Sequence, residues 1–143
     1  KEACKKQDQV IYGFSVIRNE LRAVPKDKTY ARRNFRIAIL SLYDELIGNH
    51  NLEVDENLLG EIANKYHEPY FQLGGTRSKE DLGKDYIIVA CASSKELDIV
   101  VSNDDATMLS ELSLKSYKIV NDILKLKNPT FIDYYEFKKL IFR

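Results

Sequence analysis

The feature that most constrains this chain is Ile99-Val100-Val101, a β-branched run closed abruptly by Ser102-Asn103-Asp104-Asp105. β-branched residues fit pleated strands. A run that is apolar at every position reads as a strand buried on both faces, the habit of parallel sheets. In open α/β sheets, ligands gather outside the carboxyl ends of the strands. The polar edge after Val101 is therefore the expected place for chemistry.

Just upstream, Ile87 to Ala92 is a second apolar run, and periodicity alone does not separate strand from helix there. Ser78-Lys79-Glu80-Asp81 approximates a capping box, and Ala90 and Ala92 favour helix. A helix here, followed by a strand from Asp98, makes half of a βα unit. It would bring Asp85 and Asp104 to one rim of a sheet.

Earlier in the chain, Val10, Ile11, Tyr12 and Phe14 form a β-prone run interrupted by Gly13, read as a first strand. Ser15 then reads as the N-cap of a short helix through Arg22, which sets Glu20 about one turn beyond the strand end. Residues 29–47 carry apolar side chains at spacings of three and four, an amphipathic helix with Arg32, Arg33 and Arg36 on a basic face. Leu52-Glu53-Val54 reads as a minimal strand. Asp55 caps a helix to about Tyr70, broken by Pro69 and Gly74-Gly75. A helix over 107–126, an edge strand over 129–133 and a helix over 135–142 complete the series. Alternating strands and helices predict one α/β domain, three-layered, with a mostly parallel central sheet flanked by helices.

Composition narrows the function only a little. Lys plus Arg and Asp plus Glu are equal at 22 each, so net charge does not argue for nucleic acid; a local basic patch is still compatible with it. Cys4 and Cys91 do not make a disulfide framework. Cys91, in an apolar run, reads as a buried thiol in a reducing compartment, hence a cytoplasmic protein. No apolar run approaches the ~20 residues that span a bilayer, so no membrane is expected.

Glu20, Asp85 and Asp104 all fall on the same expected rim. Converging carboxylates repel unless a cation neutralises them. Hard oxygen donors without His or Cys suit Mg²⁺ or Mn²⁺. Such a cation activates water and stabilises charge on a phosphodiester under in-line attack. The chain has no Walker loop, zinc spacing or nucleophile elbow to compete with this reading.

Asp85-Tyr-Ile-Ile-Val-Ala-Cys-Ala, followed by Asp98-Ile-Val-Val-Ser-Asn-Asp104, resembles the signature of the PIN-domain nucleases. Phe14-Ser15 through Glu20-Leu21 resembles the family's second acidic position, and Pro129 to Leu140 its closing strand and helix. The resemblance implies that Glu20, Asp85 and Asp104 bind Mg²⁺ or Mn²⁺, with Ser102 hydrogen-bonded into the acidic cluster and Asp105 beside it. It implies endonucleolytic cleavage of single-stranded RNA; separately, the basic face of Arg32, Arg33 and Arg36 is either a solvated surface or a track for that substrate. It also implies a homodimer and, for a toxin, a small antitoxin protein covering the rim.

The family's first strand ends in an Asp, and nothing before Val10 matches it. The resemblance therefore implies either roughly 30 upstream residues, the length of one βα unit, or an incomplete site. Lys1 in place of Met suggests a fragment or a processed chain.

Each acidic residue also has a plainer role. Asp104 and Asp105 could cap the next helix, Asp85 could sit in a helix's first turn, and Glu20 could be a surface residue. The competing function is a non-catalytic module that binds RNA or a protein partner.

Overall fold

The computed structural model describes residues 9–25, 27–30 and 33–141. The chain divides into two compact units, Lys1–Glu53 and Val54–Arg143.

The first unit holds α1 (Ser15–Arg22), the antiparallel pair β1 (Thr29–Tyr30) and β2 (Arg33–Asn34), and α2 (Phe35–Ile47). Ser15 does not cap α1 but is its first residue. The N-cap is Phe14, in extended conformation, whose carbonyl accepts the Ile17 N–H at 3.1 Å. The helix expected over 29–47 begins only at Phe35, because the Asn34 side chain accepts the Ile37 N–H at 3.1 Å and caps it there. The expected basic helix face is thereby dispersed. Arg32 lies outside the described residues, Arg33 is on β2, and Arg36 is in the first turn of α2. Helices α1 and α2 are joined by a two-pronged ion pair, Arg18 Nε and Nη2 donating to the Asp44 carboxylate at 3.0 Å each.

The strand expected over Val10–Phe14 does not form. Gly13 alone makes a parallel bridge, donating to the His50 carbonyl at 3.0 Å and accepting from the Leu52 N–H at 2.8 Å. A Cβ at Gly13 would run into the Tyr43 ring and Ile47 on α2, so the chain approaches that helix closely and then turns into α1. Leu52–Val54 likewise adds no strand.

The second unit holds α3 (Glu56–Gln72), α4 (Lys79–Ser94), β3 (Ile99–Val101), α5 (Glu111–Leu124), β4 (Thr130–Ile132) and α6 (Tyr134–Ile141). Its helix starts are set by local side chains. Asp55 accepts from the Asn57 and Leu58 N–H groups, Ser78 from Asp81, Ser110 from Ser113 and Asp133 from Glu136. Pro69 lies inside α3 rather than ending it; its missing N–H loosens only the last turn, before Gly74 takes φ 99°.

Helix α3 packs on both α4 and α5. The core they enclose contains Leu59, Ile62, Tyr66, Leu82, Tyr86, Val89, Tyr117 and Val120, all buried. Each such side chain contributes about 1.5–3 kcal/mol of transfer free energy. Tyr66 and Tyr117 meet edge to face with centroids 5.3 Å apart. Buried among them, Asn121 accepts from the Tyr66 hydroxyl at 2.7 Å and donates to Ser93 Oγ at 3.1 Å and Asn128 Oδ1 at 2.9 Å.

Strands β3 and β4 pair in parallel, Ile99 opposite Thr130 and Val101 opposite Ile132. These two strands are the whole of the parallel sheet among the described residues. The expected three-layer α/β fold with a mostly parallel central sheet is therefore incorrect: among the described residues six helices dominate, and helix accounts for 59%. Nor is β3 buried on both faces. Val100 is buried, but Ile99 and Val101 are each 39% exposed, so only one face of the strand is covered. No helix among the described residues is long and apolar enough to cross a membrane.

Candidate functional site

The two parallel strands end in polar loops that touch one another. After β3, the Ser102 N–H donates to the Ile132 carbonyl at 3.1 Å, extending the ladder by one residue. Asn103 Oδ1 then accepts the Tyr134 N–H at 2.9 Å, tying this loop to the first residue of α6. Ser102 Oγ accepts the Asp104 N–H at 3.1 Å. Ser102 thus bonds to Asp104 through the backbone N–H of that residue and shapes the loop.

Asp104 is exposed, and its carboxylate accepts the Thr107 N–H at 3.0 Å. It caps the turn at 105–109, whereas α5 itself is capped by Ser110. The carboxyl is held below the ordinary carboxylate range. The Thr107 hydroxyl is the largest cause; burial, which acts in the opposite direction, comes second, followed by the Thr107 and Ala106 N–H groups and the Arg77 guanidinium, which lower it further. The firmest of these contacts is the 3.0 Å bond from the Thr107 N–H. Thr107 Oγ1 is buried, makes no hydrogen bond of acceptable geometry, and acts as a nearby dipole. Asp105 is exposed, its N–H donating to the Asn103 carbonyl at 3.2 Å.

Asp85 lies half-buried in the second turn of α4. It stands about 15 Å up the helix from the turn into β3. Strand β3 is about 10 Å long, and the Ser102–Asp104 loop follows it. Two electrostatic influences act among these elements. Arg77, which acts on Asp104, immediately precedes Ser78, the N-cap of α4. Asp85 acts on Tyr117, whose hydroxyl donates to the Met108 carbonyl, in the turn after Asp104, at 3.1 Å. Asp85 on α4 and Asp104 in the loop after β3 both belong to the second unit.

Burial pushes the Tyr117 phenol far above its usual range, and the Asp85 charge pushes it further. Tyr86 is raised in the same way, by burial first and then by Tyr70 and Asp85. Its hydroxyl shares a 2.9 Å hydrogen bond with His67 Nδ1, so His67 is a half-buried partner of the core.

Glu20 is exposed on α1 and belongs to the first unit. Among the described residues, no three Asp, Glu, His or Cys side chains come together to hold a metal ion. Asp85 and Asp104 remain as the acidic pair. Mg²⁺ keeps several waters and is commonly held by one or two carboxylates together with substrate phosphates. Two hard oxygen donors, one of them kept ionised, fit that cation when a phosphodiester supplies further oxygens.

Sequence reasoning missed Asn103, Thr107 and Tyr134 as the residues that build this edge. A signal existed in the Asp104-x-x-Thr107 spacing, which suits a side-chain oxygen capping the N–H three residues on. Comparison of the chain with models of known protein families, with curated proteins and with solved structures found no match.

Proposed function

We propose that this chain carries the acidic edge of a metal-dependent endoribonuclease acting on single-stranded RNA, with Asp85 and Asp104 as its carboxylates. The observation that supports the reading is the exposed Asp104 in the polar loop that closes a parallel strand, its carboxyl held below the ordinary carboxylate range. Mg²⁺ or Mn²⁺, when bound, would activate water and neutralise charge on the phosphodiester. The chain's own part is orientation. Thr107 and Ala106 hold Asp104 deprotonated, Ser102 and Asn103 fix its loop, and buried tyrosines flank Asp85. The sequence resemblance alone names Glu20, on α1 of the first unit, as a candidate ligand. The resemblance likewise supports a homodimer and an antitoxin partner. A cytoplasmic setting agrees with the buried free thiol of Cys91.

The competing reading is a module that binds RNA or a protein without cutting, favoured by the lack of a three-ligand group among the described residues. Incubation of fluorescent single-stranded RNA with the protein in Mn²⁺, and in EDTA, separates the two. The proposal expects cleavage that EDTA abolishes and that Asp104→Asn and Asp85→Asn each reduce at least 100-fold, the order of loss when a charge-stabilising group is removed. RNA left intact in Mn²⁺, or cut equally by both variants, overturns it.

A further inference from the structure

Helix α6 begins at the acidic edge and presents an exposed strip of alternating aromatic and cationic side chains. Tyr134 is 54% and Tyr135 66% exposed, although tyrosine rings left in water gain little from packing. Lys138 Nζ lies 5.8 Å from the centroid of the Tyr134 ring, and Lys139 Nζ 4.3 Å from that of Tyr135. Both pairs are spaced i, i+4, so the four side chains form one contiguous stripe. The four side chains cover about 140° of the helix surface, and the exposed Glu136 flanks them about 60° beyond Lys139. The strip adjoins the edge directly, since the Tyr134 N–H is the group bound by Asn103, next to Asp104.

We infer that this strip docks single-stranded RNA, bases stacking on Tyr134 and Tyr135 while Lys138 and Lys139 meet the phosphates. A lysine above an exposed ring gains only about 0.5–1 kcal/mol. Its flexible stem can swing the ammonium onto a phosphate and free the ring face. Base stacking on an aromatic is worth about 1–3 kcal/mol per base and tolerates any sequence. Rings alone would suit a protein partner equally well; the paired ammonium groups complement a polyanion, and this favours nucleic acid. The strand so held would run from α6 toward the Asp104 edge. The choice of RNA rests on the endoribonuclease reading of that edge.

The test is fluorescence anisotropy of a labelled ten-nucleotide single-stranded RNA with the full chain in EDTA, where cleavage plays no part. Tyr135→Ala should weaken binding about 5- to 150-fold, the range that follows from loss of one stacked base. Tyr135→Phe should retain it. Lys139→Ala should weaken all sequences alike and lower the salt slope by about 1. Absence of binding by the wild type, binding unchanged in Tyr135→Ala and Lys139→Ala, or equal affinity for duplex RNA overturns the inference. So does self-association that Tyr135→Ala abolishes while RNA binding stays unaltered, which would make the strip a protein interface. RNA bound through α6 but never cut in Mn²⁺ removes the nuclease reading and leaves the strip standing. RNA cut at the wild-type rate by the Tyr135→Ala/Lys139→Ala double variant removes the strip alone.

Discussion

The Asn103 side-chain carbonyl accepts the Tyr134 backbone N–H at 2.9 Å, across 31 residues of chain. This one bond registers the loop after β3 against the start of α6, and so sets Asp104 beside the aromatic strip. Asn103→Ala removes the acceptor but leaves the exposed N–H to water. Stability should fall by only about 0.5–1.5 kcal/mol. RNA cleavage should fall by a larger factor than the denaturation midpoint suggests, because misplacement of catalytic groups is costly. Equal retention of activity and stability would show that the bond positions nothing.

Asn121 is the polar centre of the second unit, bonded to Tyr66, Ser93 and Asn128. Asn121→Ala leaves the Tyr66 hydroxyl and Ser93 buried without this partner and opens a small cavity. The expected loss is about 2–4 kcal/mol, read from urea unfolding. Asn121→Asp, which keeps an acceptor for Tyr66 but loses the donor to Ser93, should also destabilise. A change below 0.5 kcal/mol in either variant, roughly the surface-substitution range, would contradict the assignment.

Alkaline pH should unfold the protein earlier than acid chemistry would suggest. Burial pushes Tyr66 from 10.0 up to about 12 and Cys91 from 9.0 up to about 11. Both groups are favoured in their neutral form by the folded state. Their contribution is complete below pH 9, and declines as pH rises from the unfolded toward the folded values, by up to about 1.4 kcal/mol per pH unit for each group. Thermal midpoints should hold from pH 7 to 9 and drop progressively from 9 to 12. Asp104 has the opposite sign: its small contribution is present at neutral pH and lost as pH falls through its depressed value. A midpoint flat up to pH 11 would contradict the buried, protonated assignment of these groups.

Local features were legible in the sequence, and long-range ones were not. Ile99–Val101 is a strand, and Asp55 and Ser78 cap α3 and α4, because each depends on side chains within four residues. The Ile87–Ala92 run resolves as helix for the same reason. Sheet membership depends on partners elsewhere. Val10–Phe14 has β propensity, yet Gly13 is pressed against Tyr43 and Ile47, some 30 residues away, and only one bridge survives. The three-layer sheet was inferred from β-prone runs whose neighbours the sequence does not specify. The helix expected over Asp85 and the polar loop expected at Asp104 are both present, because each depends on residues close in sequence. Asn121 was missed although Ser113, Tyr117, Val120 and Asn121 share the buried stripe of α5, where polar residues signal a buried network.

The central claim is that Asp85 and Asp104 share one hard cation. Titration of ¹⁵N-labelled protein with Mn²⁺, followed by amide NMR, tests it most directly, since the paramagnetic ion broadens only nearby signals. The claim predicts selective loss of the amides around Asp85 and around Ser102–Thr107, abolished in Asp104→Asn and retained in Asp105→Asn. Broadening at the Glu20 amide would add that residue to the site. Broadening that spares both carboxylate segments, or that persists unchanged in Asp104→Asn, would contradict the account.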